Sequence, residues 1–189
     1  MPKIIKNFFN YLNLGDKFLW TIIIIISSYS LLLIKSVSRE GTNFFTLQFI
    51  AVIVGFLCAV ILQSINYQAV AEKYKIIFIL CVLFIIYTLI FGITVEGSSG
   101  INARAWIRLP GGITFQPSEL VKIGFIVTFS KHISILKAKG KLNEFKSIIL
   151  LCFHAITPVV LTHLQGDDGA AIIFLCIAMF IAFIAEIKI

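Results

Sequence analysis

Apolar residues fall in long continuous runs along this chain, and polar ones gather between them. The runs cover residues 18–34, 44–62, 76–93, 148–164 and 170–185, with a weaker one at 120–136 interrupted by Lys122, Lys131 and His132. Their lengths match or approach the about 17–25 residues a helix needs to cross a bilayer. Inside lipid the backbone has to satisfy its own hydrogen bonds, so spanning segments are helices or the strands of a closed barrel. Barrel strands would be short and alternating, whereas these runs are long and unbroken. The pattern predicts an all-α polytopic membrane bundle of about six transmembrane helices in a single membrane domain, with its longest connection at 94–118. The first run follows Lys3, Lys6 and Lys17. It is longer than a signal-peptide core and no A-x-A site follows it, so a retained span is expected.

Composition sharpens this reading. The chain is 59% hydrophobic and 13% charged, with a mean hydropathy of +1.02. A soluble domain carries about 25% charged residues, so there is too little polar surface here to coat a soluble globule. Threading the runs back and forth puts eleven lysines on one side: Lys3, Lys6, Lys17, Lys73, Lys75, Lys131, Lys137, Lys139, Lys141, Lys146 and Lys188. Four basic residues, Lys35, Arg39, Arg104 and Arg108, fall on the other. Basic loops stay cytoplasmic, so the N-terminus is expected in the cytoplasm and the 94–118 loop outside. The net charge of +7 is this bias and not a nucleic-acid footprint. The 131–146 loop reads as solvated, with contact to anionic head groups as the alternative. Cys58, Cys81, Cys152 and Cys176 lie inside apolar runs without metal-ligand spacing and are expected to act as small buried apolar residues.

The outer loop, "VEGSSGINARAWIRLPGGITFQPSEL", carries the candidate chemistry. Arg104 and Arg108 are four apart and would share a face on a helical turn. With Trp106 they could bind a phosphate-bearing lipid, or simply meet ordinary head groups. Pro110, Gly111 and Gly112 form a turn signal. Pro117 suits the first turn of a helix, and Glu119 suits its positive end. Lys122, three residues on, shares a face with Glu119, so an ion pair inside the bundle is expected; a lysine snorkelling to the head groups is the alternative. His163 and Asp167 are four apart but lack a third ligand, so no metal site is expected. His154 reads as an interhelical hydrogen-bonding group. Asp167 and Asp168 precede an apolar run, where acids favour a helix N-terminus or could serve as bases.

These residues carry a resemblance. "GINARAWIRLPGGITFQPSELVKIGFI" resembles the signature region of the SEDS family, the shape, elongation, division and sporulation proteins (the RodA/FtsW/SpoVE group). The shared tract is Phe115, Gln116, Pro117, Ser118, Glu119 and then Lys122. "LLLIKSVS" is similar to the end of the family's first span; Gln48, Gly55 and Ile65–Tyr67 are similar to its second span and following loop. "LQGDDGAAIIF" is similar to its L-x-Q-P-D-L-G-T motif, with Gln165, Asp167 and Gly169 in register. Gly166 stands where the family has Pro, Asp168 where it has Leu, and the Arg/Trp cluster is one residue shorter than the commonest form.

The resemblance implies a multi-pass protein of the bacterial cytoplasmic membrane that polymerises lipid II into peptidoglycan on the outer face, for cell shape or division. It implies substrate contacts at Arg104, Trp106 and Arg108, and a departing pyrophosphate that needs stabilising. Asp167 and Asp168 are the candidate catalytic acids in this chain. No cofactor is identifiable, although a divalent cation is compatible with the full-length family. The implied partners are membrane lipids, lipid II and a single-span transpeptidase, with no nucleic acid. Family members carry more spans than six, and the acid usually assigned to catalysis lies in the portion beyond, as does the transpeptidase docking surface. The expectation is an N-terminal portion that is inactive alone. A flippase for lipid-linked precursors and a non-catalytic component of the cell-wall machinery are the other classes.

Overall fold

The computed structural model describes residues 16–37, 43–63, 65–94, 103–109 and 113–187. The Pro110–Gly112 turn and the acids Glu40 and Glu96 lie outside them. The described residues form seven helices and two short strands: α1 Lys17–Val37, α2 Phe44–Gln63, α3 Tyr67–Glu72, α4 Tyr74–Phe91, β1 Ile107–Arg108, β2 Thr114–Phe115, α5 Pro117–Ala138, α6 Phe145–Leu164 and α7 Asp168–Ile184. The protein is an all-α, polytopic membrane protein. Among the described residues α1, α2, α4 and α6 are each long and apolar enough to cross a membrane. Helix α5 has the length, at 22 residues, but carries Glu119, Lys122, Lys131 and Lys137. Helix α7 is apolar and 17 residues long.

The chain divides into two compact units, Met1–Tyr67 and Gln68–Ile189. The first holds α1 and α2. Asp16 opens α1 by accepting from the amides of Phe18 (2.8 Å) and Leu19 (3.4 Å), as an N-cap carboxylate does. Trp20 meets Phe56 with ring centroids 5.0 Å apart, and Gln48 Nε2 donates to Ser30 Oγ at 3.3 Å. Val60 is the buried hydrophobic residue of this unit among those described.

The second unit has a true core. Phe125 and Phe174 are sealed from solvent together with Ile85, Val121, Phe129 and Ile133. Phe125 stacks on Phe129 at 5.3 Å and meets the edge of Phe174 at 5.4 Å. Gly124 lets α5 approach α4 closely: a Cβ there would run into Cys81 Sγ. Contacts at the two ends fix the directions. The end of α6 and the second half of α4 meet the starts of α5 and α7. At the opposite end Tyr74 stacks on His132 at 5.8 Å, and Lys137 lies 4.0 Å from Glu186. Helices α4 and α6 therefore run one way and α5 and α7 the other.

Helix ends in this unit close the same way three times. Gly140 N donates to Lys137 O and Lys141 N to Leu136 O; Gly166 N to His163 O and Asp167 N to Thr162 O; Glu186 N to Phe183 O and Ile187 N to Ala182 O. This is the Schellman pattern, which needs a left-handed residue one past the cap. Gly140 (φ 67°), Gly166 (φ 79°) and Glu186 (φ 62°) supply it. Proline holds φ near −65° and could not take the Gly166 conformation, so the departure from the family motif at this position belongs to this turn.

The cysteines correct an expectation. Cys58 and Cys152 are exposed, and Cys81 and Cys176 are half-buried; all four are free. In a membrane chain the apolar surface turns outward to lipid, where a small thiol is at ease.

Candidate functional site

The site forms at the end where α4 and α6 finish and α5 and α7 begin. Gly92 ends α4, its amide donating to Thr88 O at 2.7 Å. A Cβ at Gly92 would collide with the carbonyl oxygens of Thr88 and Arg104, so glycine permits the returning loop to lie against the helix end. Ile93 then pairs antiparallel with Trp106. Ile107 pairs with Phe115 and Arg108 with Thr114, and the Phe115 ring stacks over Phe84 at 6.5 Å.

Arg108 therefore sits on a strand, with Arg104 on the segment just before it, and the two do not share a helical turn. Pairing with Ile93 on one side and with residues 114–115 on the other holds the backbone straight. Alternation along this paired segment places Trp106 and Arg108, two apart, on one face, and Arg104 precedes Trp106 by the same interval. Both arginines are exposed, Trp106 is half-buried and Ala105 is buried. Among the described residues neither arginine has an ion-pair partner.

Beneath this strip three consecutive residues tie the bundle end together. The buried side chain of Gln165 donates to Ile85 O at 2.8 Å, while its backbone carbonyl accepts from Arg104 N at 2.9 Å. Gly166 makes the turn. Asp167 accepts from Ala170 N at 3.0 Å, capping α7, and from Gln116 Nε2 at 2.5 Å. The candidate base Asp167 thus has an architectural task. Asp168 is exposed and lies 2.6 Å from His163 Nδ1, so the histidine meets Asp168 and not Asp167; the Gly166 turn breaks the helical spacing that would have joined it to Asp167. Gly169 is exposed at the start of α7.

Helix α5 opens on Gln116, with Pro117 in its first turn. Pro117 and Ser118 are buried, and Ser118 Oγ has no hydrogen-bond partner among the described residues. Lys122 Nζ lies 2.7 Å from Glu119 Oε1, but the two are sheltered unequally: the lysine side chain is 13% exposed and the carboxylate 59%. The pair is not wholly inside the bundle. Its anion sits at the helix rim, in the first turn, where the dipole favours it, and its cation lies one turn deeper.

A second polar group lies nearer the other end. His154 is buried, its Nε2 3.2 Å from Thr128 Oγ1 and its Nδ1 3.1 Å from His132 Nδ1. Phe78, Phe125 and Phe129 surround the ring. Thr157 instead bonds its own Phe153 carbonyl at 2.6 Å, the usual local choice for a helical threonine. The interhelical bond is legible in His154 itself, since a polar group inside an apolar run seeks a partner on a neighbouring helix. Thr128 and His132 as its partners are set by helix rotation.

Among the described residues no three His, Cys, Asp or Glu side chains converge as a metal cradle.

Comparison with known proteins gives one consistent picture. The family model FTSW_RODA_SPOVE, described as "Cell cycle protein", matches residues 13–189. A probable peptidoglycan glycosyltransferase FtsW of Geobacter sp. (strain M18) is 29% identical over 170 residues, covering 88% of this chain and 44% of the relative. The peptidoglycan glycosyltransferase RodA of Treponema pallidum is 27% identical over 180 residues, covering 94% and 39%. The chain thus spans less than half the length of these curated relatives. In structure it is similar to the rod shape determining protein RodA of Thermus thermophilus, with TM-score 0.78 at 22% identity, over 92% of this chain and 54% of that one. A chain of a peptidoglycan synthase complex that coordinates polymerization and crosslinking is similar at TM-score 0.74, also 22% identical, over 90% and 48%. These likenesses show the fold.

Proposed function

We propose, from the premise that this chain belongs to the FtsW/RodA/SpoVE family of cell cycle proteins, that it is part of a peptidoglycan glycosyltransferase of the bacterial cytoplasmic membrane. Its substrate is lipid II, and its work is glycan strand synthesis for cell shape or division. The observation that carries this reading is the exposed Arg104–Trp106–Arg108 strip, held on the bundle end by the tract that names the family. Guanidinium groups bind phosphate through paired N–H donors, and a half-buried Trp suits the head-group region. The strip's role is to hold the lipid pyrophosphate and stabilise its charge as it departs. Asp167 holds α5 to α7. Asp168, paired with His163, is the less committed acid.

In this reading six spans place the chain's N-terminus and its lysine-rich connections in the cytoplasm, and the arginine strip outside. A synthase partner belongs to the proposal because one structural neighbour comes from a peptidoglycan synthase complex. The finer form of that partner, a single-span transpeptidase, would dock outside this chain.

The test is lipid II binding by the purified chain in phosphatidylcholine vesicles. Binding that falls about tenfold in Arg104→Ala/Arg108→Ala, with helix content unchanged, is expected, as is an absence of glycan strands from this chain alone. Equal lipid II binding by the double variant would sink the assignment. Strand synthesis abolished by Asp167→Asn would move catalysis into these residues. Orientation is read by cysteine labelling at Ile113 and Ala138 in a background with the four native cysteines replaced. The two should label from opposite sides.

A further inference from the structure

The end of the second unit away from the arginines carries a groove between α5 and α7, with a volume of about 480 Å³. Such a volume lies within the about 300–1,000 Å³ of small-molecule sites. The groove exists because α5 presents small residues four apart, Ser130, Ser134 and Ala138, while α7 and the residue after it offer Ile181, Ile184 and Ala185. Ile133 closes its inner wall, and Lys137 stands at its mouth. Its walls are mainly apolar, and the charge lies at one end.

Beyond Lys137 the connection to α6 adds Lys139 and Lys141, and the first turn of α6 adds Lys146, all exposed. Two carboxylates answer them: Glu186 at 4.0 Å from Lys137 and Glu144 at 3.8 Å from Lys141. Both contacts are long, and Lys137 and Glu186 are 58% and 86% exposed. Exposed pairs of this kind hold their partners weakly, so the ammonium groups are left open to a competing anion. The groove and lysines together have the chemistry of a lipid with an apolar tail and an anionic head.

We propose that this groove binds one acyl chain of an anionic phospholipid, with the lipid phosphate on Lys137 and the following lysines. Juxtamembrane lysines attract anionic head groups; the groove makes that attraction local and gives it a shape. A second copy of this chain is a poor occupant, because its own lysine-rich end would meet Lys137 with like charge. Zwitterionic lipid fills the same apolar volume but offers the lysines no net charge. The site is separate from the arginine strip and does not depend on the function proposed for it.

Native mass spectrometry of the purified chain with equimolar phosphatidylglycerol and phosphatidylcholine tests the site. One phosphatidylglycerol retained about tenfold over phosphatidylcholine is expected. Lys137→Glu should abolish that preference. Ser134→Phe fills the groove and should lower retention at least fivefold with every lysine intact. Ala185→Leu, on the opposite wall, should do the same and covers the case in which the first variant misfolds. Circular dichroism confirms that the variants tested are folded. Retention unchanged in both groove-filling variants would mean diffuse head-group attraction and would overturn the site. So would equal retention of the two lipids, or a dimer of the chain that dissociates when the groove is filled.

Discussion

Helices α2 and α5 have nearly the same length and opposite characters. Helix α2 reads "FFTLQFIAVIVGFLCAVILQ", with no charged residue, and it buries only Val60. Helix α5 carries four charged residues and buries seven positions: Pro117, Ser118, Val121, Phe125, Thr128, Phe129 and Ile133. In a soluble protein the ranking would be reversed. Lipid is as apolar as leucine, so an apolar helix gains little by leaving it. A helix bearing polar groups gains more from protein neighbours, which can satisfy them. Between these two helices the unbroken apolar run stays outward, and the interrupted one supplies much of its unit's core.

The contrast is broken most severely at Phe125. Phe125→Ala opens a phenyl-sized void of about 100 Å³ and should cost roughly 2–3 kcal/mol at about 24 cal/mol per Å³ of cavity. Phe49→Ala on α2 removes a ring that is 47% exposed and should cost about nothing when lipid replaces it. Unfolding by SDS titration in mixed micelles measures both. Equal losses would show that α2 is packed after all.

The unequal shelter of the Glu119–Lys122 pair gives the next effect. Glu119→Gln strands a sheltered ammonium and should destabilise by about 1–2 kcal/mol, discounted because its partner is exposed. Lys122→Met leaves a carboxylate at the helix rim and should cost under about 0.5 kcal/mol. The same titration separates them. If the lysine variant is the worse, the cation rather than the anion sits at the rim.

Smaller still is the tie between Gln116 and Asp167. Gln116→Leu should cost about 0.6–1.7 kcal/mol, the range of interhelical hydrogen bonds in membrane bundles. The loss should shrink when Asp167→Asn is already present. Additive losses in that double-mutant cycle would mean the two side chains act independently.

Much of the bundle was legible because apolar run length is read directly against bilayer thickness. A helix lies over each apolar run, whereas the meeting of Gln116 with Asp167 at one end of the bundle is a finding of the structure alone. The rest depended on information that a local window does not hold. The four-residue spacing of the arginines would serve a helical turn, and pairing of Trp106 with Ile93 and of Arg108 with Thr114 is what sets the local backbone instead. The shelter of Lys122 but not Glu119 depends on which flank of α5 faces neighbours. His132 and His154 are separated by 22 residues, and their meeting is a matter of helix rotation. Gly166 was legible only as a departure from a motif; its positive φ supplies the physical reason.

The turn from α6 to α7 spends only residues 165–167 between the helices, and each has a separate task. Gln165 reaches α4 and the arginine segment, Gly166 reverses the chain, and Asp167 reaches α5 and caps α7. Inserting or deleting one residue there would shift these tasks out of phase together. Length variation among related chains should therefore collect in the 94–103 and 109–113 segments, and an aligned gap placed at 165–167 would signal a misalignment. For the same reason an epitope tag meant to report this face belongs in the hairpin side of the loop, never in that three-residue turn.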